Sequence, residues 1–495
     1  MVKLQTLFLG AFLFCSSKAD LIATTTSYTP APTTCVGGSC PAPVVDNNIV
    51  YGANNNLVGN LNTLIGSSNT VQGYSNNIVG NGNVNLGSVN TVAGCNNALQ
   101  GNYNQVSGNL NGVIGSVNTV VGSGNGVIGN YNGVVGNLNN LSGSGNLVSG
   151  SVNTVSGDLN TIANGYYNTI SGAQNVINNG NYNGVIGTAN YVQGSANLVN
   201  GNANALVGNL NVVGGSNNNV AGTANGVAGN CNNVVGSSNG VIGSGNNLNG
   251  NLNVVQGNIN SVQGSTNVIA GNSNTAIGNS NSIIGNINTA IGSSNTLTGN
   301  LNQVLGNQNT AIGLSNVIVG NSNLAAGVAN SQIGSNNVAV GNSNSQFGNS
   351  NTAIGCANTA IGSGNTQIGN ANLAYGNNNN IQGSVNTVIG NTNIAAGNGN
   401  TILGNTNAVG GNCNTVAGVS NTVLGNTNIA TGNTNYISGS SNVVNGVSNG
   451  VIGSGNLVVG SSNNVVSTSA CNVPPPPPLP AYPTPVVVPK PACGC

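Results

Sequence analysis

The feature that most constrains the fold is a seven-residue repeat, seen in "GNSNTAIGNSNSIIGNINTAIG" at residues 271–292. With glycine as position 1, the pattern G-x-x-N-x-φ-x, where φ is apolar, runs for 59 copies from Gly52 to Val466. Glycine and Asn occupy positions 1 and 4 in every copy. The frame slips by one residue twice, between Gly157 and Gly165 and between Gly172 and Gly180. A period this strict predicts a structure in which each copy repeats one conformation.

A coiled coil and a disordered chain are the first alternatives to weigh for a heptad repeat rich in Gly and Asn. The coiled coil fails because Gly in every heptad costs a helix about 1 kcal/mol each time, and only one position per heptad is regularly apolar. Disorder fails because a flexible tract has no need for Asn at one fixed phase. The surviving interpretation is an all-β fold, a single long parallel β-solenoid or β-roll.

Each fixed position has a physical role in such a solenoid, for which we expect two heptads per coil, with a triangular coil of three heptads as the alternative. Gly at position 1 provides a turn with positive φ. Asn at position 4 stacks in an amide ladder between coils. Position 6 supplies the apolar core, and positions 4 and 6 share a face because side chains alternate along a strand. We therefore predict that positions 4 and 6 point inward.

Some later copies leave this inside–outside assignment open. In "NTAIG", "NSQIG" and "NSQFG", position 6 is Ala or Gln, whereas position 7 is Ile or Phe. The alternative is that these strands pack position 7 inward. Position 6 is polar at four places along the chain: Asn85, Gln332, Gln346 and Gln367.

The amino-acid composition argues against most kinds of catalysis. The chain of 495 residues has three basic and three acidic side chains and no His. Asp158 is the one carboxylate inside the repeat region, and no base or nucleophile accompanies it. Acid–base, nucleophilic and metal-assisted catalysis need such groups in clusters. We therefore predict that the protein is not an enzyme and has no cofactor or metal site. Nucleic acids and anionic membranes are disfavoured because clusters of basic residues are absent.

The ends of the chain differ from the repeat. Residues 1–19 have the layout of a secretory signal peptide, with Lys3 before an apolar run and the small residues Ser17 and Ala19 before the cleavage site. Residues 20–51 form a Thr/Pro-rich segment and cap, residues 52–466 the solenoid, and residues 467–495 a Pro-rich tail. We expect a secreted, extracellular protein, with the cell wall or a surface coat as a destination and no membrane insertion.

The segment "NTAIGNSNSIIGNINTAIG" resembles the heptad repeats in the heads of trimeric autotransporter adhesins. The resemblance implies a left-handed parallel β-roll with two heptads per coil, and adhesion by an elongated head. It also implies that the apolar residues just before the Gly and two before it, positions 7 and 5 here, face the core. That implication disagrees with the assignment from residue chemistry. This chain also carries Asn where that family more often has Ser or Ala.

Cysteines are the candidate cross-linking sites. Nine remain after removal of the signal peptide, an odd number for a secreted chain. Four lie in the repeat region and five in the flanks: Cys95, Cys231, Cys356 and Cys413; Cys35, Cys40, Cys471, Cys493 and Cys495. The four repeat cysteines are too far apart along a straight solenoid to pair with each other. The two interpretations weighed for them are a link between chains and an inert buried thiol.

Three functions remain open. The first is a secreted structural protein, a neutral rod that self-associates into fibres or lateral assemblies of a coat, wall or filament, cross-linked by disulfides. The second is a surface adhesin or glycan-binding rod whose partner is wall polysaccharide. The third is an ice-binding solenoid, which needs one face bearing the same short residue on every coil. Position 5 carries Thr only intermittently along the sequence, which weakens the third function.

Overall fold

The computed structural model describes residues 47–467, which contain 60 β-strands and divide into two compact units at Leu252 and Asn253. The first unit holds β1 (Ile49–Tyr51) to β29 (Asn247–Asn249), and the second holds β30 (Val254–Gln256) to β60 (Asn464–Val466). The predicted signal peptide, most of the Thr/Pro-rich segment and nearly all of the Pro-rich tail lie outside the described residues.

Each strand covers positions 5, 6 and 7 of one repeat, starting immediately after the position-4 Asn. Ten strands continue into the following turn. Their bounds are β15 Leu147–Ser151, β17 Thr161–Tyr166, β18 Thr169–Ala173, β20 Gly184–Thr188, β36 Thr296–Asn300, β38 Thr310–Leu314, β40 Leu324–Val328, β42 Val338–Asn342, β51 Thr401–Asn405 and β53 Thr415–Val419.

Within each unit the strands form two parallel sheets, one of odd-numbered and one of even-numbered strands. Every strand pairs with the strand two ahead of it, so that residues 14 apart are in register outside the two frame slips. Thr275 pairs with Thr289, for example, and Ile277 pairs with Ile291. One coil therefore contains two heptads. The predicted all-β, parallel β-solenoid fold is confirmed.

Positions 4 and 6 line the interior, as residue chemistry predicted. Asn274 and Ala276 are fully buried, whereas Ile277 at position 7 is exposed. The same alternation holds in the first unit, where Asn132 and Val134 are buried and Val135 is exposed. The assignment implied by the adhesin resemblance, with positions 5 and 7 inward, is therefore wrong for this chain.

The copies with a polar position 6 follow the same rule. Gln332, Gln346 and Gln367 are buried, while Phe347 at position 7 is 55% exposed. Gln346 reaches across the core, where its Nε2 donates to the carbonyl of Val338 on the opposite sheet at 2.8 Å. The alternative that these strands pack position 7 inward is wrong, because a one-residue change of face would also expose the Asn ladder.

The buried asparagines satisfy one another. In Asn288, Nδ2 donates to Oδ1 of Asn274 at 3.1 Å and to the carbonyl of Gly299 at 2.6 Å. Its own Oδ1 accepts from the backbone N and the Nδ2 of Asn302, at 3.0 and 3.1 Å. Both amide hydrogens and both lone pairs of the carbonyl oxygen are thus used. This is the predicted ladder, extended to the turn glycines.

The glycine turns also behave as expected. Gly278 has φ of 119°, and a Cβ placed there would collide with the carbonyl oxygen of Gly292 on the next coil. Close approach of successive turns therefore requires Gly as strictly as the positive φ does.

The two frame slips appear as bulges at the boundary between strand and turn. Asn164 and Asn179 are the extra residues, with φ of 52° and 49°. The pairing of β15 with β17 shifts between Val148 and Gly150, and the buried positions on either side stay inward. An insertion placed there leaves the faces of the strands unchanged.

Candidate functional site

On the sheet faces, the residues available for function are those at positions 5 and 7, because each strand turns these two side chains outward. Sorting the repeats by sheet shows that they are not equivalent. In the odd-numbered sheet of the second unit, nine of the twelve strands from β31 (Ser261–Gln263) to β53 begin with Ser or Thr. These residues, the hydroxyl row, are Ser261, Thr275, Thr289, Ser331, Ser345, Thr359, Thr387, Thr401 and Thr415.

The other sheets carry fewer hydroxyl groups at position 5. Over the whole second unit, nine of the fifteen odd-numbered strands and six of the sixteen even-numbered strands begin with Ser or Thr. In the first unit the counts are four of fifteen odd-numbered and three of fourteen even-numbered strands. Of the 22 Ser and Thr residues at position 5, fifteen therefore belong to the second unit, and its odd-numbered sheet holds the most, nine.

Neighbouring members of the hydroxyl row are in direct register. Thr387 pairs with Thr401, which pairs with Thr415, and Ser345 pairs with Thr359. The spacing between such partners is that of parallel strands, about 4.8 Å. Gln303, Val317 and Leu373 interrupt the row. The result is a set of short runs of hydroxyl groups at one repeat distance.

An apolar row runs beside the hydroxyl groups at position 7, about 6.7 Å away along each strand. Its members on the twelve strands are Ile277, Ile291, Leu305, Val319, Ile333, Phe347, Ile361, Tyr375, Ile389 and Leu403, with Gln263 and Ala417 at the ends. Most of these side chains are exposed. The surface thus alternates hydroxyl and hydrocarbon in two parallel rows.

The support beneath this surface is rigid and uncharged. Each strand of the row follows a buried Asn of the ladder, as Thr289 follows Asn288. Sheets that stay flat over many strands are usually held by such side-chain ladders. Asp158 is the one charged side chain in residues 47–467, and it belongs to the first unit. The surface therefore combines a fixed spacing with a neutral face.

A second ladder of exposed amides occupies the turns at position 2. The backbone N and Nδ2 of Asn258 both donate to Oδ1 of Asn272, at 2.9 and 3.2 Å. Asn272 makes the same pair of bonds to Asn286, and Asn286 to Asn300. These bonds run toward later coils, opposite to the buried ladder. They fix the edge of the sheet from the outside.

The candidate cross-linking cysteines occupy turns at repeat positions 2 and 3. Cys95 is buried and Cys356 is partly buried, both at position 2. Cys231 and Cys413, at position 3, are exposed free thiols. Cys231, Cys356 and Cys413 lie in turns from an even to an odd strand, and Cys95 in a turn of the other kind. The five flanking cysteines lie outside the described residues, so the predicted cross-links stay predictions.

Within the described part of the chain, no cluster of three or more metal-ligating residues occurs. Over the same range, no helix is long and apolar enough to cross a membrane.

Comparison with known proteins gives one finding about this class of fold. A family model described as the grass antifreeze beta roll matches residues 141–236. No curated protein matches the chain. The matched segment lies within the first unit and includes two consecutive even strands, where Thr154 pairs with Thr169 and Ser156 with Ser171. In this segment, the chain is similar to a β-roll of the antifreeze kind.

The hydroxyl row is the feature that reading the sequence in one line missed. Position 5 varies from copy to copy, so Thr looks scattered among Gly, Asn, Val and Leu. Separating odd from even copies would have revealed it, because copies 14 residues apart share a sheet. The signal was present, but it appears only once the number of heptads per coil is fixed.

Proposed function

We propose that the protein is an extracellular, non-enzymatic ice-binding solenoid and that the hydroxyl row of the second unit is its main ice-facing surface. The observation that carries this proposal is the higher frequency of Ser and Thr on one sheet, where they lie in register in runs of three beside an apolar row. The antifreeze β-roll match in the first unit supports the same class of function.

The chemistry of the face suits a solid made of ordered water. Thr offers a hydroxyl that both donates and accepts, together with a methyl group. Its branched side chain has few rotamers, so little freedom is lost when the surface is covered. A neutral face has no ions that would hold a competing hydration shell. Repetition at the strand spacing lets many weak contacts act together.

The test is steric interference with the row. Replacing Thr275 and Thr289 by Tyr places two bulky rings on adjacent strands, and we expect most of the thermal hysteresis of the full chain to be lost. The matched control makes the same Thr→Tyr replacements at Thr352 and Thr366, which pair with each other on the even-numbered sheet of the same unit. We expect the control to keep most of the activity. Equal losses in both variants, or no hysteresis in the unmodified protein, would contradict the proposal.

A second candidate function is the cross-linked extracellular material expected from the sequence. The exposed thiols of Cys231 and Cys413 and the exposed apolar residues at position 7 favour it. A thiol-blocked extract run on a gel without reductant tests it. High-mass species that disappear when reductant is added would support an assembled material. The double variant Cys231→Ser, Cys413→Ser should then form fewer of them. A wholly monomeric extract contradicts it.

A further inference from the structure

Four of the eight tyrosines in the described part of the first unit lie where the repeat is irregular. Tyr166, Tyr167, Tyr182 and Tyr191, here called the Tyr patch, fall within three successive coils that contain both frame slips. In sequence they look scattered. Because one coil is about 14 residues, the structure brings Tyr167 and Tyr182 to equivalent places in adjacent turns, both at position 3.

The rings of Tyr167 and Tyr182 are stacked, with centroids 5.0 Å apart and planes 1° from parallel. Both side chains remain at least half exposed. The equivalent residue in the following turn is Ala196, whose backbone N bonds to the carbonyl of Asn181 as that of Tyr182 bonds to Tyr166. Ala196 has no side chain long enough to cover a ring. The Tyr182 ring thus ends the stack at a step in the surface.

Amide groups occur in the same coils as the rings, and two of them contact the hydroxyl of Tyr191. Nδ2 of Asn164 donates to Oδ1 of Asn179 at 3.2 Å, which joins the two inserted residues. Nδ2 of Asn178 donates to the hydroxyl of Tyr191 at 3.4 Å, and that hydroxyl donates to Gln193 Oε1 at 3.3 Å. Amide donors and acceptors therefore lie in the same coils as the stacked rings, and those of Asn178 and Gln193 bond the hydroxyl of Tyr191. The regular seven-residue copies lack residues equivalent to the inserted Asn164 and Asn179.

We propose that the Tyr patch binds a neutral polysaccharide. The C–H face of a pyranose ring is apolar and fits against an aromatic ring, while sugar hydroxyls pair with amides and with tyrosine hydroxyls. An acidic glycan or a single-stranded nucleic acid also stacks on aromatics but requires basic residues, and residues 47–467 contain none. A neutral chain polymer is the ligand class that matches rings, amides and absent charge together.

This site is separate from the hydroxyl row, because its residues belong to the first unit and its two stacked rings are turn residues. Its test is co-sedimentation of the full chain with insoluble cellulose, chitin and a β-1,3-glucan at room temperature. The test variant carries Tyr167→Ser and Tyr182→Ser. Ser occupies position 3 with the same positive φ at Ser68 and Ser75, so the turn should keep its fold.

The matched control is Tyr131→Ser, which removes a tyrosine that is 70% exposed at position 3 in the same unit but outside the patch. We expect the double variant to bind at least one of the polymers about tenfold more weakly, and Tyr131→Ser to bind like the unmodified protein. Three results would overturn the proposal: no binding to any polymer, no loss in the double variant, or an equal loss in the control. A preference for an acidic glycan over all three polymers would overturn the neutral ligand class.

Discussion

At the scale of single residues, the interior of the solenoid depends on an amide rather than on hydrocarbon alone. The position-4 Asn uses all four hydrogen-bonding sites and closes the gap between coils. A buried polar group is tolerated only when it is satisfied in this way. The invariance of Asn along the repeat therefore follows from hydrogen bonding, since no aliphatic residue would satisfy the backbone N of the next coil.

Replacing Asn288 by Ala should be far more costly than replacing Ser293. Asn288→Ala removes the acceptor for Asn302 and the donor to Gly299 in the buried interior, at a cost of about 3 kcal/mol in local opening free energy. Ser293 lies in a turn, and its Ala variant should change this free energy by less than about 0.5 kcal/mol. Amide hydrogen exchange of residues 281–306 measures both. Equal effects would show that the ladder contributes no more than a surface residue.

Position 3 carries strain that sequence reading did not anticipate. Ile287 has φ of 58°, in the left-handed region that β-branched residues avoid, and its N–H bonds to the carbonyl of Asn272 at 2.9 Å. Asn occupies the same position at Asn217 and Asn336. Many residue types occur at position 3, so the sequence does not reveal that this position needs a positive φ. At position 1 the invariant glycine makes the same requirement visible.

Ile287→Asn should therefore stabilise its coil. Relief of left-handed strain is worth about 1 kcal/mol. The control, Ile284→Asn, changes an equally exposed Ile in a strand with ordinary φ, where Asn has lower β-propensity and a small loss is expected. Hydrogen exchange of the surrounding amides measures whether each variant raises or lowers the local opening free energy. A loss at Ile287 equal to that at Ile284 would mean that the turn holds no strain.

At the scale of elements, the sequence established the strand, the turn and their order, and it left the outer surface undetermined. The core positions followed from alternation around Asn and Val, as at Asn132 and Val134. The cross-core role of Gln346 did not follow, because it depends on which residue faces it in the same coil. The hydroxyl row and the Tyr patch both needed the 14-residue coil before scattered residues could be recognised as neighbours.

The long glutamines of the core should be coupled to the small residues opposite them. Gln346 reaches the backbone of Val338, next to buried Ala339. Gln346→Ala would leave a cavity and remove the side-chain donor to the Val338 carbonyl, at a cost of about 3 kcal/mol, and Ala339→Leu alone would overpack the coil. The double variant should cost less than the sum by at least about 1 kcal/mol. Strict additivity in hydrogen exchange would show that the two residues do not share space.

At the scale of the whole molecule, the near absence of charge is the dominant property. Residues 47–467 hold one charged side chain, and the whole chain has no His. Repulsion between copies is therefore weak, and self-association is limited by shape and by the polar turns. An uncharged surface is also suited to binding a neutral solid, as proposed for the hydroxyl row, or a neutral polymer, as proposed for the Tyr patch.

Stability should be almost independent of pH. Linkage requires groups that titrate differently in the folded and unfolded states, and the described part of the chain has no His, Glu or Lys. We expect the melting temperature to stay flat from about pH 5 to pH 7.5, where only His would ordinarily titrate. Thermal unfolding followed by circular dichroism checks this. A shift of many degrees across that range would require an ionisable group that the account does not include.

The most direct test of the ice-binding proposal is partition into growing ice. The full chain, fluorescently labelled on its free thiols, is mixed with a labelled globular control protein, and an ice hemisphere is grown slowly from the solution. We expect the chain to be enriched in the ice on defined crystal planes while the control stays in the liquid. Exclusion of the chain from the ice to the same extent as the control would contradict the proposal.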